Sequence, residues 1–257
     1  MSVGKLCSTV GLLIAASLLL SSCAMPGATP VTTNTSAPTR RPKATSTSTP
    51  RPTGTPLPTA TPNLTATKQV EDFTTVIQGY YGKGFISTTN GSYTLLHDTS
   101  DSWAELGYYN RFETGLSPTN FVIESDLAWK SASAAADMSG CGFAFREQPN
   151  GDNYMLFISL QGYLRLSYLL AAKGNYSNTM GLATYGLPAQ TGSAHVTLIA
   201  EENIFRVLVN GKLLKTFTGL QGKLTTGYLS YAVVSGTNKS YGTNCLFRNT
   251  VVWEIQQ

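Results

Sequence analysis

Apolar and polar side chains alternate from Phe121 to Trp129. Phe121, Ile123, Leu127 and Trp129 fall on one face, and Glu124, Asp126 and Ala128 on the other. A period of two is the signature of a half-buried β-strand. Further short runs rich in β-branched and aromatic residues predict strands at Ser92–His97, Trp103–Tyr109, Cys141–Arg146, Tyr154–Ser159 and Tyr163–Leu170. Others follow at Val196–Ala200, Ile204–Val209, Lys212–Thr218, Gly227–Val234 and Cys245–Ile255. Turn signals separate them: Pro149-Asn150-Gly151-Asp152, Gln161-Gly162, and Asn210-Gly211, whose two positions both tolerate φ > 0. Helical periodicity is almost absent, and no helix is predicted. Residues Lys173–Ser193 lack alternation and read as the longest loop, with an edge strand near Leu182–Tyr185. About eleven short strands joined by Gly-rich turns predict an all-β, two-sheet antiparallel β-sandwich.

Two unlike segments precede this domain, giving boundaries at 1–22, 23–67 and 68–257. In the first, Lys5 precedes an apolar run from Val10 to Leu20. That run is too short to span a bilayer and has the dimensions of a signal-peptide core. It ends in Leu20-Ser21-Ser22-Cys23, which resembles a bacterial lipobox. The resemblance implies cleavage before Cys23 and acylation of that cysteine. The chain would then sit on the extracytoplasmic face of a cell membrane, held by its acyl chains. The plainer alternative is a secretory signal whose cleavage site happens to lie near a cysteine. The second segment is dominated by Thr, Pro and Ser and holds no aromatic residue between Met25 and Thr67. Such a stretch has too little apolar surface to offset its ordering entropy, so a disordered spacer is expected. It would span about 35 Å as a coil and about 130 Å if fully extended.

The net charge of +4 looks basic. Lys5 and the linker cations Arg40, Arg41, Lys43 and Arg51 carry that excess, and residues 68–257 stand at −1. No nucleic-acid partner is therefore expected. Two histidines and four scattered cysteines do not make a zinc cluster.

From Asp72-Phe73 onward the order of elements resembles the concanavalin A-like, laminin G-like jelly rolls. The resemblance is carried by Gly142-Phe143-Ala144-Phe145-Arg146, Asp152-Asn153-Tyr154-Met155-Leu156-Phe157-Ile158, Gly162-Tyr163-Leu164-Arg165-Leu166 and Val207-Leu208-Val209-Asn210-Gly211-Lys212-Leu213-Leu214. It implies a jelly-roll sandwich. Members include lectins, adhesion modules, noncatalytic appendages and glycoside hydrolases, so the fold does not choose among them. Cys141 and Cys245 remain after the leader and Cys23 are set aside. In this topology the last strand can approach the Cys141 strand, and an exported chain favours a disulfide between them.

Glu124-Ser125-Asp126 resembles the start of the Glu-x-Asp-x-x-Glu strand of family-16 glycoside hydrolases. Ala128 or Trp129 stands where a second Glu is required, so retaining hydrolysis lacks its second carboxyl. No Ser-His-Asp arrangement stands out around His97 or His195; His195, at the start of a strand, reads as a structural or surface residue. Asp98 and Asp101 could ligate Ca²⁺ with loop carbonyls, but two acids in a Ser/Thr-rich loop are more often plain turn chemistry, and neither a metal nor a cofactor is assigned. The remaining candidates are Arg146, Tyr163 and Arg165, with Tyr154 nearby. Alternation directs Arg146, Tyr163 and Arg165 away from the apolar face, where a ring can stack on a sugar and a guanidinium can fork onto hydroxyls. The alternative is cross-strand pairing of Arg146 or Arg165 with Glu124 or Asp126. The expectation is a monomeric, lipid-anchored surface protein whose jelly roll binds a carbohydrate or cell-wall glycan without catalysis. A glycoside-processing hydrolase and a protein-binding or structural module are the alternatives.

Overall fold

The structure, a computed structural model, describes residues 64–134, 139–171, 176–186 and 189–256. Among the described residues one helix, α1 (Leu64–Gly82), precedes thirteen strands. These are β1 (Gly91–Leu95), β2 (Thr99–Trp103), β3 (Tyr108–Leu116), β4 (Phe121–Ser131), β5 (Gly140–Glu147), β6 (Asn153–Ser159) and β7 (Tyr163–Leu170). They continue with β8 (Tyr176–Thr184), β9 (Thr191–Glu201), β10 (Ile204–Val209), β11 (Lys212–Thr218), β12 (Tyr228–Ser235) and β13 (Thr243–Ile255). The strands form two antiparallel sheets. One runs β1-β13-β4-β9-β10-β11, with β2 also paired to β13, and the other runs β3-β12-β5-β6-β7-β8. This is the expected two-sheet sandwich.

Alternation builds the core between the sheets. Phe121, Ile123, Leu127 and Trp129 of β4 meet Cys141, Phe143 and Phe145 of β5. Phe145, Tyr154 and Phe205 form an aromatic knot with ring centroids 4.8–5.3 Å apart. The Cys141–Cys245 disulfide ties β5 to β13 across the two sheets. By the loop-entropy model, closing a loop of about 100 residues is worth about 4.7 kcal/mol. Asn210 and Gly211 both adopt positive φ, +50° and +75°, as the β10–β11 hairpin requires.

The helix is the main departure from the sequence reading. It begins ahead of the expected domain start at Lys68, and it takes up Asp72-Phe73. Phe73, Ile77 and Tyr80 make its apolar stripe and are buried on Val122, Ile199, Leu208 and Trp253. The seven-stranded sheet therefore buries apolar side chains on both faces. Gly84, at φ +67°, ends the helix, with the amides of Gly84 and Phe85 bonded back to Tyr81 and Tyr80 carbonyls. Two further corrections concern strands. The expected strand at Trp103–Tyr109 instead spans the last residue of β2, the turn after it with Gly107 at φ +80°, and the first two residues of β3. The expected long loop at 173–193 contains β8 and the start of β9. The leader, Cys23 and most of the Thr/Pro segment lie outside the described residues.

Candidate ligand-binding site

The outer face of the six-stranded sheet carries a polar groove. In β3, Phe112 packs on the core, so Tyr109, Arg111 and Glu113 point outward. In β12, Ser230 lies between the core residues Leu229 and Tyr231 and points the same way. Glu147, at the end of β5, ion-pairs with Arg111. It also accepts a 3.5 Å hydrogen bond from Ser230 Oγ. The Arg111 guanidinium lies 5.8 Å from the Tyr109 ring centroid, a cation–π arrangement. Asn153 Nδ2 donates to the Gly151 carbonyl (2.9 Å) and approaches Tyr109 Oη at 3.5 Å, which holds that ring in place. Tyr109, Arg111, Glu113, Glu147 and Ser230 line a groove of about 460 Å³ with Tyr108, Asn110 and Asn150. Ligand pockets typically enclose roughly 300–1,000 Å³. Tyr108, at the rim of this groove, is 60% exposed. Small side chains lower the floor of the face, where Ala144 and Ala232 lie beside Met155 and Phe157.

The sequence-predicted residues divide among three places. Tyr163 and Arg165 alternate with the core residues Leu164 and Leu166, so they share the outer face of the six-stranded sheet. Arg165 Nε donates to Ser167 Oγ (3.1 Å), and its guanidinium lies 5.8 Å from the Phe157 ring centroid.

Arg146 does not reach that face. Its φ of +51° and a register shift between β5 and β12 break the alternation and turn the side chain inward. It is 1% exposed, with Nη2 on the Thr119 carbonyl (3.0 Å), Nη1 on the Leu224 carbonyl (3.3 Å) and the Phe205 ring at 5.1 Å. Burial lowers its pKa to about 10. Tyr154 is equally interior. It pairs with Phe145 across β5–β6, faces the core, and accepts the Leu220 amide on its hydroxyl at 2.6 Å.

Glu124 and Asp126 lie on the other sheet, beside α1, so they pair with neither Arg146 nor Arg165. Tyr80 Oη donates to Glu124 Oε1 at 2.5 Å, and Thr197 Oγ1 adds a 3.2 Å bond. His195 stands between the two acids. Its Nδ1 is 2.8 Å from Asp126 Oδ1, and its Nε2 is 3.6 Å from Glu124 Oε2, an ionic contact beyond hydrogen-bond range. Contact with Glu124, then with Asp126, raises the imidazole pKa to about 9 against the opposing effect of burial. Burial acts to raise the Asp126 pKa, but hydrogen bonds from Asn249 and His195 pull it below the usual value. Burial and the Glu124 charge push the Tyr80 phenol upward. Tyr80 clamps α1 to the sheet through Glu124, and His195 bridges β9 to both acids of β4, so it is an ion-pair bridge rather than a plain surface residue. Asp98 and Asp101 accept the backbone amides of Asn249 and Ser102.

No protein-family model matches the chain, and no curated protein matches it. Solved structures do. The chain is similar to the carbohydrate-binding module CBM66 from Bacillus subtilis, at 12% identity and TM-score 0.45 over 62% of this chain and 92% of that one. It is similar to a fructosyltransferase from A. japonicus, at 16% identity and TM-score 0.46 over 65% of this chain, and spans only 27% of that enzyme. It is also similar to the Bacillus licheniformis β-glucanase, at 15% identity and TM-score 0.43 over 62% of this chain and 78% of that one.

Sequence reasoning missed Tyr109, Arg111 and Glu147. The outward alternation Tyr109–Arg111–Glu113 was the available signal. Reading the strand as ending at Tyr109 cut it off.

Proposed function

We propose that the chain presents a carbohydrate-binding jelly roll, tethered through an acylated Cys23 and a Thr/Pro spacer to the extracytoplasmic face of a cell membrane. The observation that supports binding is the groove in which Tyr109, Arg111 and Glu147 are locked together beside the exposed Tyr108. Aromatic faces stack on sugar rings, and a fixed guanidinium–carboxylate pair offers donors and acceptors to neighbouring hydroxyls. Binding without turnover fits the state of Glu147. Hydrolysis needs one carboxyl free to protonate the leaving oxygen and a second across the bond, whereas Glu147 is committed to Arg111. The tether is supported by the apolar leader run that ends at Leu20-Ser21-Ser22-Cys23.

The test is a glycan array probed with the full-length chain and with a Tyr108→Ala, Tyr109→Ala variant, followed by reducing-end analysis of any bound glycan. Wild type is expected to retain a glycan that the variant loses, with no new reducing ends. Equal retention by both removes the groove from the reading. New reducing ends replace binding with hydrolysis.

A further inference from the structure

We infer that the groove selects uncharged saccharides and rejects glycans bearing carboxylates or phosphates; this rests on the glycan reading above. Arg111 is the one cation among the residues lining the groove. Its charge is already met by Glu147, whose side chain is only 14% exposed. A second lining carboxylate, Glu113, is exposed. An incoming uronate therefore finds no unmatched cation and meets an unmatched anion, and like charges brought together at an interface cost several kcal/mol. A neutral pyranose or furanose has no such conflict. Its hydroxyls donate to the Glu147 oxygens and to Asn110, and accept from the remaining N–H groups of Arg111. The ion pair thus converts a guanidinium, commonly an anion receptor, into a hydroxyl receptor. Glu147 is the specificity-determining residue, because it sets what Arg111 can accept.

The experiment uses the full-length chain and a panel of neutral glucans, mannan, fructan and galactan, each paired with its C6-carboxylated counterpart, with affinities measured by titration. Wild type is expected to favour the neutral member of the pair it binds by at least about tenfold. Glu147→Gln frees Arg111, and its preference is expected to shrink below about threefold or to reverse. Glu113→Gln, at an exposed position that does not bear on folding, is expected to shrink the preference as well. Raising salt should leave neutral binding unchanged. Carboxylated members bound as tightly as neutral ones by wild type would overturn the charge rule alone, as would a preference unchanged in both variants. Binding of no member at all would overturn the glycan reading and the charge rule with it.

Discussion

Replacing His195 by Gln tests the ion-pair bridge that joins β9 to the two acids of β4 in the seven-stranded sheet. The imidazole sits between Asp126 and Glu124 with its pKa raised to about 9 from an ordinary 6.5. A raised folded-state pKa stabilises the fold fully below the unfolded value, and that stability is lost as pH rises through the folded one. The window is therefore pH 6.5 to 9. The free-energy equivalent of the whole shift is about 3 kcal/mol. The side chain is 40% exposed, however, and solvent screening reduces the expected contribution to about 1 kcal/mol. Urea unfolding of the full-length chain, followed by tryptophan fluorescence, should show the wild-type midpoint falling by about 0.5 M between pH 6 and pH 9.5. His195→Gln should start lower at pH 6 and lose most of that slope. Effects of any other groups that titrate in the window are common to both proteins and cancel in the difference. A wild-type midpoint that is flat across the window, or a variant that keeps the full slope, would refute the bridge.

Other outcomes follow from the same geometry. Tyr80→Phe removes the 2.5 Å donor to the buried Glu124 carboxylate and should cost about 1–3 kcal/mol in equilibrium unfolding. The loss should be visible as earlier proteolysis within residues 71–86. Arg146→Ala strips two carbonyls of their donor and empties a core position. It should destabilise by about 3–5 kcal/mol in chemical denaturation, whereas Arg146 placed on a binding face would cost little stability. Cys23→Ala should move the protein from the membrane fraction to the soluble fraction on ultracentrifugation; full retention on membranes would place the anchor elsewhere.

The sandwich was legible because its evidence is local. Phe121–Trp129 alternates cleanly, and Asn210-Gly211 admits one kind of hairpin. The helix was not legible for a physical reason. Its stripe is only Phe73, Ile77 and Tyr80 in a Thr-rich stretch, and its stability comes from Val122, Ile199 and Trp253, which are distant in sequence. Alternation along β4, β9 and β13 alone does not reveal that the second face of their sheet is covered. Arg146 shows the limit of period-two reasoning. One left-handed residue at a bulge reverses the face that counting assigns. The groove was hidden more simply, since Arg111 and Glu147 are far apart in sequence and nothing local marks them as partners.

The central claim is that a glycan seats on the outer face of the six-stranded sheet. Hydrogen–deuterium exchange of the full-length chain, with and without its array-selected glycan, tests this directly. Slower exchange is predicted in peptides covering residues 108–113, 147–151 and 228–232, with residues 71–86 and 249–252 unchanged. Protection confined to 71–86 and 249–252, beside the α1 clamp, would contradict it.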